Sequence, residues 1–285
     1  MYKKTLDEMV LKDDFLFGAV MSQEELCREF LELVLGFPVE RVVVDREKSL
    51  VYNPHFHGIR LDVIAKDATH THYDVEMQAV RKKALGRRAR YYQGQMTAGL
   101  LKAGEDYDQL PDTYVIFICD FDPFGEGRYK YEFAQRCLEN LDLGLQDGAR
   151  TIFLSTRGGN PGDVPESLVK FLQYVRASLE ESQKDFQDEF VRKVQQEVFR
   201  VKSDQEIRSS FMTLEELLRD ERAEGKVEGK AEGKAEDSML FLTPLGAVPS
   251  HIQESIYEEK DSQVLEKWLR AAARADSMEA FIKSM

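Results

Sequence analysis

Three residues carry most of the chemistry this sequence offers: Asp62, Glu76 and Gln78. Glu76 and Gln78 stand two apart in HYDVEMQAV, where polar and apolar residues alternate. That period predicts a β-strand with Tyr73, Val75, Met77 and Ala79 on one face and His72, Asp74, Glu76 and Gln78 on the other. Asp62 belongs to GIRLDVIAKD, read as the strand before it. A chain turning back about Thr69 brings position 62 opposite position 76, because each is seven residues from that centre. Facing Cβ atoms on antiparallel strands lie roughly 5 Å apart, within reach of one shared cation. Mg²⁺ or Mn²⁺ suits such oxygen donors, and either would polarise a phosphate and acidify an attacking water. Taken alone, an Asp followed by E-x-Q is also the ordinary polar face of an antiparallel edge strand.

The elements that must position these residues follow from the rest of the pattern. Residues 13–35 place Phe15, Ala19, Leu26, Phe30, Leu33 and Val34 at helical spacing, and Gly36 closes the segment. RVVVDREKSLVY and GIRLDVIAKD read as strands ahead of HYDVEMQ. RKKALGRRAR opens a helix expected to run to about Ala103, with Gly104 as its stop. TYVIFICDF is a continuous apolar run of the kind buried on both sheet faces. Strands at about 129–136 and 150–155 and helices at 165–177 and 183–201 complete the body. The fold class expected is α/β, a mixed sheet flanked by helices with a C-terminal helical extension.

Composition shifts near residue 213, so three parts are expected: 1–212, 213–238 and 239–285. The middle part repeats EGKV, EGKA, EGKA, stacking Glu224, Glu228, Glu232 and Glu236 on one stripe and Lys226, Lys230 and Lys234 on another. Each interior glycine costs about 1 kcal/mol of helix stability, so this helix is marginal on its own. It reads as a tolerant spacer, or as a self-association helix giving a homo-oligomer if its glycine stripe meets a second copy. The last part is expected to be a small helical unit, with Pro249-Ser250 and Asp261-Ser262 at helix starts and Trp268 as its core anchor.

The net charge of −13 argues against a protein that coats nucleic acid broadly. Yet residues 81–90 hold Arg81, Lys82, Lys83, Arg87, Arg88 and Arg90 with no acid, the look of a localised DNA contact or of a solvated helix end. On a helix, Lys83, Arg87 and Arg90 would share a face. Three scattered cysteines without a C-x-x-C pair suit a reducing compartment and leave no zinc-ribbon or disulfide framework. No apolar run approaches the ~18 residues of a membrane span, and the N-terminus lacks the apolar core of a signal peptide; the expectation is a cytoplasmic protein. His70 and His72 lack the partners of a zinc site, and GGNPG lacks the Lys-Ser or Lys-Thr of a phosphate loop.

Taken in order, KDDFLFGAVM, the Leu-Asp before an E-x-Q strand, the Arg90-Tyr91-Tyr92 stretch, Gly104, Tyr107 and the strand after PDTY resemble the Rpn family of recombination-promoting nucleases and putative transposases. That family lies within the PD-(D/E)XK nuclease superfamily, and the E-G-K repeat before a helical tail is similar to its C-terminal region. The resemblance implies a restriction-endonuclease-like fold and a Mg²⁺- or Mn²⁺-dependent DNA endonuclease linked to recombination or transposition. It implies Asp62 and Glu76 as metal ligands and catalytic residues, with Gln78 where the superfamily pattern has lysine. An amide offers hydrogen bonds but no charge, so Arg88, Arg90 or Gln93 is expected to supply the missing donor and Asp14 to complete the metal shell. Lys83, Arg87, Arg88 and Arg90 are the expected DNA contacts. The same departure at Gln78 also suits a non-catalytic or weakly active DNA-binding or assembly protein that keeps the fold.

Overall fold

A computed structural model describes residues 4–45, 63–98, 100–101 and 104–285. Six strands form one mixed sheet in the order β1-β2-β3-β4-β6-β5: β1 Val43–Val44, β2 Val63–Lys66, β3 His72–Gln78, β4 Thr113–Cys119, β5 Lys130–Phe133 and β6 Ala149–Ser155. β3, β4 and β6 are parallel, and the remaining neighbours pair antiparallel.

The β2–β3 hairpin turns where the sequence predicts. Its pairs, Val63↔Val75, Ile64↔Asp74, Ala65↔Tyr73 and Lys66↔His72, are centred on Thr69. Asp67 fixes that turn: its carboxylate accepts from the Thr69 hydroxyl (2.7 Å), the Thr71 amide (3.0 Å) and the Tyr73 hydroxyl (2.7 Å). Tyr73 is buried, and burial first, then the bond to Asp67, holds its phenol well above the usual range.

The alternation in β3 sorts its side chains between two cores. Tyr73, Val75 and Met77 join Ile116, Ile118, Ile152 and Leu154 in the larger one, beneath helices α1 (Asp14–Met21), α2 (Glu24–Leu35), α4 (Glu166–Arg176) and α5 (Glu189–Ser203). On the opposite face Val115, Phe117, Cys119 and Phe153 pack under Ala89, Tyr92 and Met96 of α3 (Leu85–Thr97). Each buried side chain of this size contributes roughly 1.5–3 kcal/mol. β4 is therefore apolar on both faces, as its continuous apolar run requires.

Three expectations are corrected. Residues 13–35 form two helices, because the Ser22 hydroxyl bonds back to the Gly18 carbonyl (2.6 Å) and the Gln23 side chain caps a new start at the Leu26 amide. Gly36 does close the second, at φ +80°. The basic segment becomes helical only at Leu85: it offers no Ser, Thr, Asp or Asn cap, and the chain enters through Ala84 in the left-handed region (φ +59°). The helix ends at Thr97, short of Ala103. The helix expected at 183–201 starts at Glu189, where Asp188 caps the Val191 amide at 2.9 Å.

The chain divides into two compact units, Met1–Arg208 and Ser209–Met285. The E-G-K repeat lies in one continuous helix, α6 (Gln205–Leu242), followed by α7 (Ser250–Glu258), α8 (Ser262–Ala272) and α9 (Met278–Ile282). Its C-terminal part is not a mere spacer. Ala231 and Ala235 are buried with Leu242, Ile252, Ile256, Leu265, Trp268 and Phe281 in the core of the second unit. Lys234 reaches the Ser262 carbonyl (2.7 Å), the Ser262 hydroxyl (2.9 Å) and Glu266 (2.8 Å). No helix among the described residues is long and apolar enough to cross a membrane.

Candidate active site

The α3 side of the sheet is apolar along β4 and polar along β3. Asp74, Glu76 and Gln78 lie on that face with 0%, 2% and 6% exposure. The register sets Glu76 beside Phe117 and Gln78 beside Cys119. Burying a carboxylate in such company costs several kcal/mol unless it is paired. Two of them on one face mark the place where this fold departs from a simple core, which is where functional groups concentrate.

Arg88 answers that charge. It lies in the first turn of α3, half-buried, and one guanidinium nitrogen donates to the Gln78 carbonyl oxygen at 2.5 Å. The other donates to the Tyr92 hydroxyl at 2.7 Å and stands 4.0 Å from a Glu76 carboxylate oxygen. Gln78 donates its own amide nitrogen to the Met77 carbonyl at 2.9 Å, so both ends of the side chain are fixed. Arg88 and Tyr92 are four residues apart, one turn of helix, and this lays the guanidinium over the Tyr92 ring at 5.3 Å. Tyr92 stacks in turn on Phe117, with centroids 5.7 Å apart. Burial, then the Glu76 charge, pushes the Tyr92 phenol up to about 12. It therefore keeps its proton at neutral pH and accepts from Arg88 through its lone pairs.

Of the donors expected for the missing lysine, Arg88 is the one brought to Gln78. Gln93 instead donates to Thr113, and Arg90 is exposed on α3. Asp14 is exposed at the first position of α1. Lys83 precedes the helix, so it does not share a helical face with Arg87 and Arg90; all three are exposed. Arg81 is drawn to the Asp122 and Pro123 carbonyls and lies 5.0 Å over the Phe121 ring. Asp62 lies outside the described residues, and the described ladder ends one pair short of it, at Val63↔Val75.

The oxygen donors Glu76 and Asp74 are of the kind a hard divalent cation takes, one or two carboxylates with water completing the shell. Among the described residues no three His, Cys, Asp or Glu side chains converge as a ready cage. Sequence reasoning put Asp74 on this face without giving it a part, and it missed Tyr92 as the second anchor of Arg88. The i,i+4 spacing from Arg88 was the available signal for Tyr92.

A family model described as PD-(D/E)XK nuclease family transposase matches residues 11–227, well over half the chain. Neither a curated protein nor a solved structure matches it.

Proposed function

The chain belongs to the PD-(D/E)XK nuclease family transposases, with the mixed sheet and flanking helices of that fold, and on that premise we propose that it is a metal-dependent DNA endonuclease serving recombination or transposition. The observation that carries the reading is the arrangement on β3: a buried Glu76 and a fixed Gln78 on one face, bridged by the Arg88 cation. Glu76, with Asp62 just before Val63 in the sequence, would hold Mg²⁺ or Mn²⁺. When bound, the ion polarises the scissile phosphate and lowers the pKa of water.

The protein's own groups do the rest. Glu76 provides the buried negative charge that selects a cation. Arg88 takes the charge role of the lysine in the superfamily pattern, and it is preorganised by Gln78 and Tyr92 to face negative charge developing on phosphate. Gln78 is a positioning residue, because its carbonyl fixes the guanidinium. Arg87, Arg90 and Lys83 supply exposed cations for the DNA backbone.

The test is nicking of supercoiled plasmid with Mg²⁺ or Mn²⁺, beside EDTA, by the parent and Glu76→Gln. Metal-dependent nicking lost in the variant supports the proposal, and equal nicking by both places the chemistry elsewhere. A second reading, a DNA-binding protein without efficient cleavage, is favoured by the neutral residue at position 78. It requires DNA retention by the parent with no nicking in either metal.

A further inference from the structure

We propose that Lys12 and Arg157 form a phosphate-binding pair at the carboxyl ends of β3, β4 and β6, held in place by Asp120; the proposal rests on the DNA-binding reading above. The three parallel strands end level with one another, Gln78 beside Cys119 and Cys119 beside Ser155. Asp120 follows at once, its amide donating to the Gln78 carbonyl at 3.0 Å, while the Thr156 amide donates to Cys119 at 3.0 Å. Asp120 is thus one residue beyond the strand position that carries Gln78. In open α/β sheets, ligands bind in the crevice outside the carboxyl ends of the strands.

The Asp120 side chain is 8% exposed and accepts from Lys12 at 2.8 Å, the Thr156 hydroxyl at 2.9 Å and Arg157 at 3.5 Å. One carboxylate therefore gathers two cations, in a chain of net charge −13. A purely structural ion pair needs only one cation, and a second is repelled by the first. An anion arriving from outside removes that repulsion. Lys12 and Arg157 have 27% and 43% of their side chains exposed. An ammonium has three donors and a guanidinium five, so Asp120 leaves capacity on both for phosphate oxygens. Lys12 lies 108 residues from Asp120 in sequence, so no local motif announces the cluster.

The experiment is fluorescence-anisotropy titration of a labelled DNA duplex with Ca²⁺ in place of Mg²⁺, across about 50–200 mM KCl. Lys12→Gln and Arg157→Gln are each expected to weaken binding roughly tenfold and to reduce the log–log salt slope by about 0.9. Lys12→Arg is expected to keep the parent slope, as is the control Arg192→Gln on α5. Because Lys12→Gln also alters packing beside α1, Tm is followed in parallel, and the more exposed Arg157→Gln provides an independent arm. Unchanged slopes with lowered Tm in both variants overturn the proposal and leave an ion pair that only supports the fold. Parent binding with unchanged variants sinks the pair alone, whereas a parent that does not bind duplex sinks the DNA reading and the pair with it.

Discussion

Arg88 holds the Gln78 carbonyl oxygen at 2.5 Å and stands 4.0 Å from the Glu76 carboxylate. A lysine introduced at position 78 would meet that guanidinium as a like charge and lose its hydrogen bond. Gln78→Lys alone is therefore expected to lower nicking, despite restoring the commoner residue of the superfamily. Gln78→Lys with Arg88→Gln is expected to recover it, since one cation again serves the site. Plasmid nicking by the four-member cycle measures the coupling, and a double variant no better than its worse parent refutes the exchange.

Glu76→Gln removes a buried negative charge and keeps the side-chain shape. Asp74 lies on the same face of the same strand, so the loss also relieves like-charge repulsion. We expect Tm to be unchanged or raised while divalent-dependent nicking falls by at least about 100-fold, the scale of a lost electrostatic contribution to catalysis. Asp62→Asn is expected to do the same to nicking. A fall in Tm with activity retained would mark Glu76 as a structural residue.

Arg87 and Arg90 are exposed on α3, and Lys83 stands before it. Arg87→Glu with Arg90→Glu is expected to weaken duplex binding and cut the salt slope by about 0.9 for each contact. Lys83→Glu is expected to act separately, additive with the pair, because it belongs to the turn. Filter binding over a salt series decides between this and a solvated surface.

Alkaline pH should unfold the first unit through groups that resist ionising inside it. Tyr92 rises from 10.0 to about 12, and Cys27 and Cys119 rise from 9.0 to about 12, with burial as the leading cause each time. The unfolded chain releases these protons first, so stability is full below pH 9 and falls as pH rises towards 12. Tyr92→Phe removes one of these groups, so its melting temperature should decline less steeply above pH 10. Thermal melts from neutral pH upward test this.

The chain's single tryptophan, Trp268, is buried in the second unit, so its fluorescence reports that unit by itself. Phe281→Ala in the same core is expected to cost about 3–5 kcal/mol. In urea it should move the fluorescence transition to lower concentration and leave the circular-dichroism transition of the first unit in place. Coincident shifts of both would show a single cooperative structure.

The parts of this protein legible in its sequence were those set by local periodicity. Alternation in 72–78 gave the faces of β3, and the symmetry about Thr69 gave the hairpin register. The apolar run at 113–119 announced a strand buried on both sides. What escaped was set by capping and by distant partners. The break at Ser22 depends on a side chain bonding back to its own helix, and the late start of α3 on the lack of a cap. In the repeat, the conspicuous Glu, Lys and Gly stripes hid the alanines that pack. The Lys12–Asp120 contact joins residues too far apart for any pattern to link.

The three hydrogen bonds gathered by Asp67 have a consequence for how this gene can change. They fix a turn whose centre is a single residue, and every described pair of β2 with β3, from Lys66↔His72 to Val63↔Val75, is counted from it. One codon gained or lost between Asp67 and Thr71 moves that centre by half a residue and misaligns the strands on either side, because the side-chain period of a strand is two. Substitutions can accumulate along β2 and β3 while the spacing between them stays frozen. Lineages of this protein should therefore vary in the letters of the hairpin and hardly at all in its length.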